Sequence, residues 1–202
     1  MTCNRGKSVG SLGKSSMKPA IIVVDMVKDN FKKGSRHPIT VESRAILPNI
    51  LRLLKESRKK KIPIIFACDS FMEGDFIFKG KMKRHSLRGT KGSEVADELQ
   101  PRSTDIVLPK RRFSAFFKTD LDQTLRTFGV DTIVVAGITT EVCVLMTAMD
   151  GLCHDFSVVL LEDCCASRNG EIHQGCLNLY RDFSLYPLFR IMTREEFLKD
   201  VS

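Results

Sequence analysis

The 202-residue chain has no tryptophan and only two tyrosines. Single-stranded nucleic acids are bound largely by aromatic side chains on which bases stack, and duplex readers carry recognisable motifs. With no tryptophan, two tyrosines and no recognisable nucleic-acid motif, the net charge of +8 is not read as a nucleic-acid footprint. The basic residues are also scattered. Residues 58–61 close a predicted helix, where the macrodipole favours cations, 79–84 fall in a loop, and Arg111 and Arg112 follow Lys110. Basicity of this kind fits solubility or a preference for anionic substrates. No uninterrupted apolar run reaches the roughly 20 residues that cross a bilayer, so no membrane partner is expected. Residues 1–16 lack the apolar core of a secretory leader. Rich in Ser, Gly, Lys and Arg, they are expected to form a flexible N-terminal extension, with Met17 a candidate natural start and 17–202 one domain. No C-x-x-C pair occurs, and seven cysteines is an odd number, which argues against a disulfide framework and for reduced thiols in the cytoplasm.

Apolar runs of strand length alternate with segments of helical period. Strands are expected at 20–24, 62–67, 105–108, 132–136, 157–161 and just after 185. Helices are expected at 41–60, 120–128, 141–152, 171–183 and near the C-terminus. A long charged stretch, 71–98, is left as a loop, and loops of that length are usually functional. Strands apolar on both faces and separated by helices imply an α/β fold. The predicted architecture is a three-layer sandwich: a mostly parallel six-stranded sheet with helices on both faces. Ligands of such sheets bind beyond the carboxyl ends of the strands. Asp25, Asp69, Lys110, the segment 137–143 and Asp163 are all placed at such ends.

Cys143 carries the most information. It sits between a strand-like and a helix-like run, where the unpaired N–H groups of a first helical turn favour an anion. A thiol there is expected to ionise well below the free value of about 8.5. The alternative is a buried small hydrophobe. Asp25 ends the strand Ala20-Ile-Ile-Val-Val-Asp25, and Lys110 follows Asp105-Ile-Val-Leu-Pro. An acid, a base and a thiol at the ends of separate strands suit an active site on an α/β sheet.

Together the strand ending in Asp25, Lys110-Arg-Arg-Phe-Ser-Ala-Phe116 and Gly137-Ile-Thr-Thr-Glu-Val-Cys143-Val resemble the isochorismatase-like cysteine hydrolases, with a likeness running over 18–192. This superfamily includes N-carbamoylsarcosine amidases, nicotinamidases and ureidoacrylate hydrolases. The resemblance implies a catalytic triad of Asp25, Lys110 and Cys143. It also implies a cis peptide at Ile138–Thr139 and an oxyanion hole from the N–H groups of Thr139 and Cys143. The cysteine argues against the vinyl-ether hydrolysis of the family's isochorismate-opening members, which lack it. Nicotinamidases bind a metal through Asp-x-His and a later histidine. Here Asp69-Ser-Phe71 has Phe at the first histidine position, and only His85 matches the second, so no metal and no cofactor are expected. Arg168 occupies a position like that of the carboxylate-binding arginine of N-carbamoylsarcosine amidases. Phe31 and Phe71 complete the candidate substrate-binding set, although the loop Asp25-Met-Val-Lys-Asp-Asn-Phe31 is one residue longer than usual. The expected activity is thioester-forming hydrolysis of a small carbamoyl or amide compound, with N-carbamoylsarcosine leading. Nicotinamide hydrolysis and a non-catalytic binding protein are the alternatives. The resemblance also implies a homo-oligomer, a dimer or tetramer.

Overall fold

A strand buried on both faces must be apolar throughout, and all six residues of β1 (Pro19–Val24) are buried. The computed structural model describes residues 17–201, so the extension expected over 1–16 lies outside the described residues. Five further strands follow: β2 (Ile64–Asp69), β3 (Ile106–Lys110), β4 (Thr132–Ile138), β5 (Ser157–Ala166) and β6 (Phe189–Met192). All neighbours in the sheet pair in parallel, in the order β3-β2-β1-β4-β5-β6. The helices are α1 (Pro38–Lys59), α2 (Leu121–Thr127), α3 (Leu145–Cys153), α4 (Gly170–Tyr180) and α5 (Arg194–Asp200). The period-two alternation of the strands divides the core. Ile21 and Val23 face Ile46, Ile50, Leu53 and Leu54 of α1 and Phe197 of α5. Ala20, Ile22 and Val24 face Leu121 and Leu125 of α2, Ala148 of α3 and Leu177 of α4. This is the expected three-layer α/β sandwich. No helix among the described residues is long and apolar enough to cross a membrane.

Three departures from the sequence pattern have physical causes. Helix α1 begins at Pro38 rather than near 41, because proline at a first helical position has no N–H to leave unpaired. Strand β5 runs to Ala166, five residues past its last clearly apolar position, and the register against β4 shifts between Val135 and Gly137. Asp163 therefore lies within the strand, not at its end. It is anchored away from any site, its Oδ1 accepting the Arg194 N–H at 2.6 Å and its carbonyl accepting Asn49 Nδ2 at 2.7 Å. The stretch 71–98 is also less loose than its composition implies. Val95, Ala96 and Leu99 are buried in the α1-side core, Phe71 bridges to Leu87, and Val27 bridges to Val95. Asp75, almost wholly buried, ties the stretch to Arg111 and Arg112 beyond β3.

The sheet order reverses direction between β1 and β4, and this is the crevice where open parallel sheets place ligands. Gly137 permits the two strands to approach there. Its φ is +116°, and a Cβ would stand 2.1 Å from the Val24 carbonyl oxygen. Gly137→Ala is therefore expected to lower unfolding free energy by about 3 kcal/mol or more, read from urea denaturation. An unchanged midpoint would show that the strands can separate without cost.

Candidate active site

Asp25 is the first residue past β1 and adopts φ +53°, an uncommon conformation for a side chain other than glycine or asparagine. Its N–H donates to the Ala67 carbonyl (2.8 Å), and Asn30 Nδ2 donates to its carbonyl (2.9 Å). The carboxylate is thereby aimed across the ends of β1 and β2. Oδ1 accepts the Asp69 N–H at 2.8 Å. Oδ2 has no directed hydrogen bond but faces the Lys110 ammonium at 2.8 Å. Lys110, the last residue of β3, is in register with Asp69 and completely buried. Its Nζ lies 2.5 Å from Asp69 Oδ1 and 3.3 Å from the Arg112 carbonyl. One ammonium thus sits between two carboxylates delivered by three adjacent strands.

Cys143 arrives from the other side of the crevice. It lies in a π-helical turn, Thr140–Val144, between β4 and α3, and is 8% exposed. Its sulfur and one oxygen each of Asp25 and Asp69 all lie within 4.8 Å of one another. Asp25, Lys110 and Cys143 therefore share one buried locus. The Ile138–Thr139 peptide is cis. The Thr139 carbonyl caps the turn by accepting the N–H groups of Val142 (3.1 Å) and Val144 (3.2 Å). Among the described residues, the N–H groups of Thr139 and Cys143 donate to no loop, cap or side-chain acceptor.

The ionisation pattern corrects one expectation. The Cys143 thiol is pushed well above the ordinary value, first by burial and then by the negative charge of Asp25; Lys110 opposes this without overcoming it. The helical-turn argument for a resting thiolate thus fails, because desolvation and a neighbouring carboxylate outweigh a few oriented amides. For Lys110, burial favours the neutral amine, but the negative charges of Asp25 and Asp69 raise its pKa, keeping it cationic. Asp69 is raised by burial and by the charge of Asp25.

The substrate-binding candidates are more dispersed. Phe31 is packed in the α1-side core, 4% exposed. Phe71 is buried two residues past the end of β2, its ring edge-on to Phe78 and His85 at centroid distances of 5.5 and 5.4 Å. Arg168 is exposed and has no hydrogen-bond or ion-pair partner among the described residues, Glu171 included. His85 Nδ1 lies 2.9 Å from the Lys83 carbonyl. A cleft lined by Phe113, Phe117, Leu145, Met146 and Met149 lies beside α3, but its lining does not include Cys143. Sequence reasoning missed the pairing of Asp69 with Lys110. It also missed two contacts on the turn, Thr140 with His173 and Ser167 with Glu141. Only the register of β2 against β3 could have signalled the first.

An isochorismatase domain model matches residues 19–194. The chain belongs to the isochorismatase family. An isochorismatase-like hydrolase of Alkaliphilus metalliredigens superimposes with a TM-score of 0.80 at 30% identity, covering 92% of this chain and all of that one. The N-carbamoylsarcosine amidase of Thermoplasma acidophilum gives 0.75 at 31% identity, covering 89% and 98%. The ureidoacrylate amidohydrolase of Pantoea ananatis is 32% identical over 189 residues, 81% of this chain and 75% of its own length.

Within this isochorismatase-family fold the metal site of the nicotinamidase type does not fit. Phe71 offers no ligand, and Asp69 Oδ1 is held by Lys110. Among the described residues the one cluster of three donors is Asp25, Asp69 and Cys143, and the ammonium already supplies its positive charge.

Opposite electrostatic effects on the thiol can be separated by alkylation. Asp25→Asn removes a charge that raises the Cys143 pKa, so iodoacetamide at pH 8 is expected to label Cys143 faster than in the wild type. Lys110→Met is expected to slow it. The wild-type rate should climb through and beyond pH 8.5, since a raised pKa leaves less thiolate at every lower pH. A plateau below pH 7, measured by mass spectrometry, would restore the resting-thiolate picture.

Proposed function

We propose that the protein is a cysteine amidohydrolase that cleaves the C–N bond of a small carbamoyl or amide compound through a thioester. The observation that carries this reading is the shared locus of the Cys143 sulfur, the Asp25 carboxylate and the Lys110 ammonium at the crevice between β1 and β4. Because the thiol rests protonated, its proton passes to Asp25 as the sulfur attacks the carbonyl carbon. The N–H groups of Thr139 and Cys143 receive the developing oxyanion. When the tetrahedral adduct collapses, the C–N bond breaks and Asp25 returns the proton to the leaving ammonia. Water then enters, Asp25 takes a proton from it, the hydroxide displaces the sulfur from the thioester carbonyl, and Asp25 returns the proton to the departing sulfur, regenerating the thiol. Lys110 holds the carboxylate in place throughout. With a carbamoyl substrate the acid released is a carbamic acid, which loses carbon dioxide.

N-carbamoylsarcosine, giving sarcosine, ammonia and carbon dioxide, is the leading candidate substrate. Two observations support an anionic carbamoyl class: the unpartnered guanidinium of Arg168, and relatives named for N-carbamoylsarcosine and ureidoacrylate. A guanidinium fork takes a carboxylate through two parallel hydrogen bonds. Nicotinamide is the second reading, favoured by structural neighbours named nicotinamidase, including one from Bacillus subtilis with a TM-score of 0.70 at 27% identity. Phe71 in place of a metal-binding histidine weighs against it.

Ammonia release across a panel of ureido acids, neutral amides and nicotinamide tests the proposal. Cys143→Ala is expected to lower turnover by about 10⁴-fold or more. Arg168→Ala should reduce kcat/KM for carboxylate-bearing substrates by about 10- to 100-fold and spare neutral amides. Chelation by EDTA should change nothing. Turnover surviving Cys143→Ala would refute the nucleophile, and equal losses on both substrate types would refute the role of Arg168.

A further inference from the structure

The turn carrying the two oxyanion amides is gripped from outside by residues that the proposed chemistry does not use. Thr140, between Thr139 and the nucleophile, is completely buried. A buried hydroxyl needs a partner, and in a regular helix it would bond the carbonyl four residues back. Here that residue is Ala136, inside β4. Thr140 Oγ1 instead lies 2.7 Å from Nδ1 of His173, on the first turn of α4, and has no other partner among the described residues. One residue on, Glu141 accepts a hydrogen bond from Ser167 Oγ at the end of β5. The β5–α4 connection therefore holds two successive residues of the turn.

The imidazole is itself fixed. It is half-buried, and burial lowers its pKa, favouring the neutral ring against the pull of Glu162, Glu141 and Glu42. A neutral imidazole has one donor and one acceptor nitrogen. Nδ1 and the Thr140 hydroxyl share one hydrogen bond at 2.7 Å, and a hydroxyl can serve either role in it. A phenyl ring would fill the same space and leave the hydroxyl unpaired, so packing alone does not account for a histidine here.

We propose that His173 is a positioning residue that, through Thr140, orients the turn presenting the Thr139 and Cys143 N–H groups to the reacting carbonyl. The proposal rests on the amidohydrolase reading for its kinetic consequence, but not for its structural one. An oriented amide pair stabilises the oxyanion more than the ground-state carbonyl, so misorientation should appear in kcat and not in KM.

The test uses the full chain with His173→Phe, Thr140→Val, their double variant, and the conservative Thr140→Ser and His173→Asn. Each apolar single variant is expected to lose about 10-fold in kcat with KM within about twofold, and the double variant should be no worse than either single, since both cut one interaction. Serine keeps the hydroxyl and asparagine keeps an acceptor near Nδ1, so both should return to within about threefold of wild type. Unchanged kcat in the apolar variants, losses that multiply, or conservative variants as impaired as the apolar ones would each overturn the proposal. Hydrogen–deuterium exchange of the peptide spanning 138–145 supplies an arm free of substrate. Exchange there should rise in the phenylalanine and valine variants and not in the serine and asparagine ones. Unaltered exchange would overturn the positioning role even if the enzyme is active. A wild type inert toward every amide, with exchange responding as expected, would overturn the amidohydrolase reading alone.

Discussion

A lysine with no exposed surface is the constraint around which the site is organised. Taking an ammonium out of water costs several kcal/mol even after relaxation, and only close opposite charge makes the charged form tolerable. Lys110 receives two carboxylates, one from each of the next two strands, at 2.5 and 2.8 Å. That arrangement requires β3, β2 and β1 to end at matching heights, which their parallel register provides. Sheet topology and site electrostatics are therefore one problem. If the sheet slipped by a residue, the ammonium would meet backbone instead of carboxylate, and the core packing of both faces would invert at the same time.

The same buried charges set the state of the nucleophile. Two acids and one base leave the locus short of positive charge, and the thiol keeps its proton. In the proposed mechanism Asp25 is more than an orienting group: the carboxylate that holds the thiol in its neutral form would also be the group that removes its proton once a carbonyl is in reach. On that reading the energetic cost of a desolvated thiolate would be met during the attack, as negative charge moves from sulfur to the carbonyl oxygen and the two proposed N–H donors.

Much of this was legible in the chain. Six apolar runs at the right spacing specify the sheet, and Asp25 and Lys110 can be placed at strand ends from where an apolar run stops, with Cys143 in the turn that follows another. What escaped the sequence depends on three-dimensional company. The second half of β5, Glu162-Asp-Cys-Cys-Ala166, resumes its pairing with β4 only after an irregularity, with Leu160 opposite Val135 and Cys165 opposite Gly137. Phe31 reads equally well as pocket wall or core until α1 is packed over it. The thiol's protonation follows from a balance of burial and three neighbouring charges, whereas the sequence suggests only the helical turn. Thr140 and His173 are 33 residues apart and carry no motif.

Asp69 shows how a single substitution can redirect a neighbour. An aspartate followed two residues later by histidine can share a divalent ion with it, and its charge is then spent on the metal. With Phe71 there, the second ligand is gone, and the carboxylate is free to take the ammonium at 2.5 Å. The phenyl ring also packs edge-on to His85, whose Nδ1 lies 2.9 Å from the Lys83 carbonyl. A substrate gripped through a metal-bound ring nitrogen would find no such anchor at Asp69, whose Oδ1 is held by Lys110.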